Sequence, residues 1–468
     1  MVELVHLDVA HDSARAEPYP KARSSFSKRH TGERLHRIVV VGGGAAGLEL
    51  ATRLGKRLGR RRRTEIILVD YARAHLWKPL LYEVAAGSLD PGEYEVNYLA
   101  QAHWHGFQYR LGKVVGLDRA AKEIHLAETL DDEGRQITPP RAIAYDTLVI
   151  AIGSITNDFG TRGVAEYAVP LETLDQAARF NRHLVNACLR AQTQAGPVRP
   201  GQLHVAIVGA GATGTELAAQ VHRTIREVIA YGLDRIDPKR DVRIVLIEGA
   251  DRVLPGLSER ISIAGRRLLD GMGIDVHTGA RVMEITKEGL KLADGSFVAS
   301  ELVVWAAGVK APEVLRDFDG LEVNRVNQLV VEPTLQTTRD PDIFAIGDCA
   351  ACPQPGGLRA VPPRAQAAHE EAAHMVRQIE RRQRGEALHQ FYYRDFGSLV
   401  SLGRHSTVGN LMGFLFGRGV FIEGLFAWLM YHGLRMAHER ALNGSLNAIL
   451  VLFARALSRR TGPAVKLH

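Results

Sequence analysis

Cysteine is scarce in this sequence: three in 468 residues, at Cys188, Cys349 and Cys352. Three thiols make no disulfide framework, so a reducing cytoplasm is the expected compartment. No eighteen consecutive apolar residues occur, so no conventional transmembrane helix is expected. Met1 to Thr31 is broken by acids, bases and prolines where a secretory signal would need an apolar core. Aromatics make up only 6%. What is there is ordinary globular composition, 46% hydrophobic and 24% charged, which excludes a wholly disordered, collagen-like or coiled-coil chain. Glycine, with 46 residues, exceeds the usual ~7% and points to tight backbone turns against ligands. At ~150 residues per domain the length fits about three units.

The net charge is +7, and its location matters more than its size. Arg404 to His468 holds eight Lys and Arg against two Glu. A basic, apolar tail points to an anionic membrane surface, not to nucleic acid. A second basic run, Arg60-Arg61-Arg62-Arg63, is expected to be a solvated helix end or loop.

The apolar run His36–Val41 is followed by Gly42-Gly43-Gly44-Ala45-Ala46-Gly47, a helical pattern to Leu58, and a second strand, Glu65–Asp70. In G-x-G-x-x-G the first glycine permits the turn and the second lets a pyrophosphate approach. The third packs helix on strand, and the helix N-terminus favours the anion. Asp70 stands where an acid hydrogen-bonds a ribose hydroxyl. The same grammar returns at Leu203–Val208, Gly209-Ala210-Gly211-Ala212-Thr213-Gly214 and the strand Val242–Glu248. Two copies of a phosphate-binding unit imply two nucleotides, or one and a relic. The acid of the second copy, Glu248, arrives late, and a helix extension over Arg223–Arg240 is expected to account for the delay. An acid at that strand end repels a 2′-phosphate and favours NADH over NADPH, although Arg252 lies close by. Glu216 is expected in the first helical turn, either complementing the helix dipole or standing near the nicotinamide and flavin rings.

Three further apolar strands end in small residues: Asp146–Ser154 through Gly153, Leu302–Gly308, and Ile343–Asp348. Such ends let backbone pass beside a cofactor, and Asp348 is placed to accept from a ribityl hydroxyl. Cys349 and Cys352 form a C-x-x-C just after it. Dithiol redox chemistry, or a metal role, is one meaning of that spacing; structural free thiols are the favoured one. Cys188 is expected in a core.

Taken together these features resemble the two-dinucleotide flavoprotein reductases, and closely the bacterial type II NADH dehydrogenases. The specific matches are His75-Leu76-Trp77-Lys78-Pro79-Leu80-Leu81-Tyr82-Glu83-Val84, Gly214-Thr215-Glu216, Val361–His369, Asp395–Gly403 and Ser406–Gly409. The likeness runs from His36 to the C-terminus. It implies an α/β fold of two Rossmann-like dinucleotide-binding domains with a C-terminal amphipathic helical membrane-anchoring region. The implied partition is an extension over 1–35, an FAD-binding domain over 36–165 and 310–395, an NADH-binding domain over 166–309, and membrane association over 396–468. It also implies hydride transfer from NADH to non-covalent FAD and electron transfer to a membrane quinone, ubiquinone or menaquinone, without proton pumping.

On the same basis FAD would be held by Gly42, Gly44, Ala45, Gly47, Asp70, Lys78, Gly153, Gly347, Asp348 and Ala365. NADH would be held by Gly209, Gly211, Thr213, Gly214, Glu216, Glu248 and Gly308. Glu216 and Gln366 would be catalytic, with Gln366 and Glu370 at the quinone. The family often carries glutamine where Glu370 stands; an ionised carboxylate accepts but cannot donate. A reductase of a disulfide, sulfide or soluble electron carrier is the alternative on the same fold, and a membrane-docked NADH sensor the non-enzymatic one.

In the tail, Ile422, Leu425, Phe426, Leu429 and Met436 share one helical face, with Glu423, Arg435, His438 and Glu439 mostly off it. Leu446, Ile449, Leu450, Phe453 and Leu457 form a second stripe beside Arg455, Arg459 and Arg460. Such faces suit helices lying in a membrane interface, here the cytoplasmic side of the inner membrane. Packing on the protein's own body, or a homodimer seam, is the alternative.

Overall fold

The computed structural model describes residues 34–60, 64–354, 360–395, 397–402, 407–411, 420–451 and 454. The expectations for Arg61–Arg63, for the first 33 residues and for Phe453, Leu457 and the bases beyond them lie outside these.

Strand His36–Val41 is apolar without a break from Ile38 onward, and Ile38, Val39 and Val40 are wholly buried. Such a run needs cover on both faces, the situation of a central parallel strand. It lies between Thr147–Ile150 and Thr64–Asp70, with Asp340–Ala345 and Gln108–Leu111 completing the parallel part of the sheet. The second sheet repeats the plan. His204–Val208 lies between Leu302–Trp305 and Arg243–Ile247, flanked by Ala168–Pro170 and Asp275–His277, all parallel.

The duplication goes further than the glycine turns. Each unit carries a three-stranded antiparallel sheet, Val114–Asp118, Glu123–Leu126 and Arg141–Ala144 in the first. In the second it is Val282–Thr286, Gly289–Leu292 and Phe297–Ala299. Because Asp340–Ala345 pairs with Thr147–Ile150, the second unit is an insertion in the first. A short antiparallel pair, Ile155–Thr156 with Val309–Lys310, carries the two crossings between them.

Two local expectations need correction. The helix after the first turn is α-helical only over Ala45–Leu54, and Gly55–Gly59 winds more widely. There Gly55 and Gly59 meet the backbone of His105–Phe107, so close that a Cβ on either would collide. Helix Ala212–Ala230 stops well short of Arg240. Turns over 231–242, and not a longer helix, account for the late acid.

The C-terminal part begins with antiparallel strands Gly397–Ser401, Thr407–Leu411 and Val420–Glu423, then helix Gly424–Asn443. Val400 and Leu402 pack with Ala219, Leu254 and Ile261 of the second unit. The helix instead rests on the first unit, and through residues that lie off its apolar stripe. Arg435 and His438 are buried. The Arg435 guanidinium sits 4.4 Å above the Tyr94 ring, a cation–π contact that offsets part of its desolvation. His438 stacks on Trp77 with ring centroids 5.9 Å apart and meets His75 with 3.2 Å between their Nε2 atoms. Burial holds both imidazoles neutral, His75 down to about 4 and His438 to about 3. The side chains of Ile422, Leu425, Phe426 and Leu429 lie outside the described residues. Leu446, Ile449 and Leu450 are 71%, 60% and 58% exposed, so three members of the second stripe face outward. Among the described residues no helix is long and apolar enough to cross a membrane.

Candidate functional site

Each central strand ends at the point where its sheet's connections diverge to opposite sides, the place where open α/β sheets bind ligands. The backbone explains the glycines there. Gly42 has φ +101° and Gly209 φ +103°, a region closed to most side chains. A Cβ on Gly209 would lie 2.7 Å from the Ala306 carbonyl, and one on Gly42 would strike that of Ala151. A Cβ on Gly47 would overlap the Gly42 carbonyl oxygen, and one on Gly214 that of Gly209. The middle glycines differ. Gly44 and Gly211 have ordinary extended backbones, and a Cβ on either would meet nothing within 4 Å. Neither following helix has a side-chain cap on its N-terminus. Open space, free N–H groups and a positive dipole end coincide twice, which is what a pyrophosphate requires. Ala45 and Thr213 belong to these first turns, Ala45 half-buried and Thr213 exposed.

The two strand-end acids are bound alike. Asp70 accepts from the Gly43 N–H at 2.5 Å and the Ala72 N–H at 2.7 Å. Glu248 accepts from Ala210 at 2.7 Å and Ala250 at 2.9 Å. Each acid therefore tethers its own glycine turn while keeping acceptor capacity for a ribose hydroxyl. Burial raises the Asp70 carboxyl against the pull of those amides. Arg252 is turned toward the Pro255 and Leu257 carbonyls at 3.3 and 3.2 Å, so it is engaged away from Glu248.

Between the units, Gly153 and Gly308 follow corresponding strands, both at positive φ. Lys78 donates to the Ser154 carbonyl at 2.7 Å, and the Ser154 hydroxyl to Asp348 at 2.7 Å. Asp348, Gln328, Val309, Lys310, Val361 and Pro363 line a cavity of about 260 Å³. Gly347, at φ +73°, donates its N–H to Glu371 at 2.5 Å. Glu371 is buried, and desolvation pushes it up to about 8. Sequence reasoning missed Glu371, Ser154 and Gln328. Only a lone acid on the inner face of helix Ala365–Gln383 could have signalled the first.

Glu216 corrects an expectation. It is the fifth residue of its helix, beyond the first turn, and only 6% exposed. It cannot be a solvated dipole complement. Its Oε1 accepts from the Ser401 N–H at 2.9 Å, and burial, helped by nearby Glu83, pushes it up to about 8. Gln366 and Glu370 lie one turn apart beside Ala365 at the start of helix Ala365–Gln383. Gln366 donates to Glu370 at 3.0 Å and to the Arg394 carbonyl at 2.7 Å; Glu370 accepts from the Arg394 N–H at 3.2 Å. Segment 394–401 is therefore held by the first unit at one end and by Glu216 of the second unit at the other.

Cys349, Cys352 and Cys188 are buried free thiols. Burial pushes Cys349 and Cys352 up to about 12 and Cys188 to about 11. The thiolate is the reactive species, so these are not a poised dithiol.

The sequence profile of the pyridine nucleotide-disulphide oxidoreductase family matches residues 36–372. A type II NADH:quinone oxidoreductase of Haemophilus influenzae is 40% identical over 443 residues, 92% of this chain and 99% of that protein. The NdhA enzyme of the same description from Mycobacterium tuberculosis is 30% identical, covering 90% and 87%. In three dimensions, NDH2 from Plasmodium falciparum, solved in complex with NADH, superposes with a TM-score of 0.78 at 18% identity, over 93% of this chain and all of that one. The sulfide:quinone oxidoreductase of Aquifex aeolicus gives 0.67 at 17%, over 87% and 92%; both likenesses show the fold.

The thiol environment sets a simple expectation. In the native holoprotein at pH 8, none of the three cysteines is modified by iodoacetamide within an hour, and all three are modified after denaturation. Fast native labelling of Cys349 or Cys352, read by mass spectrometry, would reopen dithiol chemistry.

Proposed function

Because the chain belongs to the pyridine nucleotide-disulphide oxidoreductase family, and within it to the type II NADH:quinone oxidoreductases, we propose that it passes electrons from NADH through FAD to a membrane quinone. No proton translocation is part of the proposal. The observation that carries it is the pair of open glycine turns, each with its tethered acid.

The first turn fits FAD. Gly44 leaves room for the pyrophosphate, Gly42 and Gly47 let the turn close, Ala45 opens the helix N-terminus, and Asp70 has capacity for a ribose. Gly347 at positive φ, held by Glu371, presents Asp348 toward the cavity beside Ser154, Lys78 and Gly153. When bound, FAD supplies the two-electron acceptor for NADH and the donor for quinone; that chemistry is the cofactor's. The second turn fits NADH through Gly209, Gly211, Thr213 and Gly214. Glu248 disfavours a 2′-phosphate, and Arg252 is not turned to welcome one. The sheets support the partition into 36–165 with 310–395 and an inserted 166–309.

The protein's own work is positioning and proton supply. Glu216 holds a proton on a buried carboxyl below about pH 8 and releases it above, so near neutrality it is an acid beside segment 394–401. Gln366 and Glu370, half-exposed, flank the same segment and are the proposed quinone contacts. The disulfide-reductase alternative needs a reactive thiol pair, and Cys349 and Cys352 are too deeply buried to serve. Glu216→Gln tests the proton role. Wild-type quinone reduction should fall as pH rises through about 8, where the neutral carboxyl is lost. The variant should be slower at pH 7 by roughly 10²-fold and lack that alkaline limb. A variant that keeps the limb removes Glu216 from the role.

The proposed site of action is the cytoplasmic face of the inner membrane, peripherally. Leu446, Ile449 and Leu450 offer an apolar triad at helical spacing, and Arg440 is exposed near the end of the preceding helix, six residues before it. Such a combination suits an anionic bilayer; a second copy of the chain is the competing occupant. Replacing the triad with serine should abolish sedimentation with phosphatidylglycerol vesicles. Undiminished sedimentation places the anchor elsewhere.

A further inference from the structure

One large side chain at the junction of the two units is held in a costly conformation and exposed. Phe159 has φ +52°, a region that bulky residues avoid and that glycine or asparagine enters more cheaply. The residue is 61% exposed. The backbone around it is secured. The Phe159 N–H donates to Asn157 Oδ1 at 3.0 Å, and Gly160 to Asp158 Oδ1 at 3.2 Å. The Asn157 carbonyl accepts from the Trp305 indole at 2.9 Å, and the Asn157 N–H donates to the Gly308 carbonyl at 3.2 Å. The second unit therefore grips this loop at the end of its own strand Leu302–Trp305.

The ring lies over Gly308. A Cβ there would come within 2.7 Å of the Phe159 ring edge. Internal duplication supplies the control: a Cβ on Gly153, the corresponding glycine of the first unit, would meet nothing within 4 Å. The aromatic cover is thus peculiar to the second nucleotide turn. Val309, the next residue, is 47% exposed and lines the cavity that contains Asp348. An apolar lip consequently runs from the second switch point toward the proposed flavin site.

A dinucleotide lies across such a switch point with one half on each side. Glu248 ends the strand on one flank, the side of the adenosine ribose. Gly308 follows the strand on the opposite flank, so the other half of the dinucleotide passes there. We propose that the Phe159 ring, continued by Val309, is the platform for the nicotinamide half of NADH and guides that ring from the second turn toward the Asp348 cavity. Aromatic packing of this kind contributes binding specificity without any polar contact. Phe159 is in this account a positioning residue, and the inference rests on the NADH proposal above.

The test uses the full-length, FAD-loaded protein and two ligands, NAD+ and ADP-ribose, which lacks the nicotinamide. Phe159→Ala should weaken NAD+ binding about five-fold, measured by calorimetry, and raise KM for NADH by the same factor. ADP-ribose should bind as tightly as to the wild type, a control that also reports an intact fold. Phe159→Tyr should restore NAD+ affinity. Equal weakening of both ligands, or no weakening of either, overturns the platform. A wild-type protein that binds neither ligand would instead sink the NADH proposal on which it stands.

Discussion

The constraint on which the structure depends is the lack of a side chain where a strand, a tight turn and a helix converge. Gly47 and Gly214 let each helix start directly against the carbonyl of the turn's first residue. With any other residue the helix would be pushed off its sheet, and its N-terminal N–H groups would no longer converge on the space above the strand. The acids then do a second job. Asp70 and Glu248 each hold the amide inside the turn, so the groups expected to recognise ribose also maintain the shape that recognises phosphate.

A second theme is how the chain joins its two units. The crossing strands pair at Ile155–Thr156 and Val309–Lys310, and segment 394–401 is gripped at both ends. Burial, with Glu83 nearby, keeps the Glu216 carboxyl from ionising, while the Ser401 N–H pulls the other way. The environment that sets its proton affinity is therefore assembled from residues 185 apart in the chain. The C-terminal helix is coupled to the first turn in the same manner: His438 meets His75, and the His75 ring in turn hydrogen-bonds the Gly43 backbone.

Much of this was legible in the sequence. Glycine spacing, flanking apolar runs and strand-end acids encode local geometry, and they located both turns. The small-residue strand ends pointed to Asp348, and the motif likeness supplied Gln366 and the functional class. What the sequence could not reveal depends on tertiary contact. Glu371 and Ser154 carry no local signature; each matters because another segment is brought to it. Arg435 and His438 read only as lying off the apolar stripe, because a helical wheel does not know that Tyr94, Trp77 and His75 wait opposite. The three-stranded insertions were missed because their short strands alternate only weakly. The strain at Phe159 is invisible in composition.

The most direct test of two independent nucleotide turns exploits the middle glycines, where the backbone tolerates a side chain and only the ligand space is invaded. Gly211→Val should bind FAD normally, stay yellow, and fail to bleach on anaerobic addition of NADH. Gly44→Val should fold without FAD yet still bind NAD+. Loss of FAD from Gly211→Val, or full bleaching of that variant at the wild-type NADH concentration, would contradict the account.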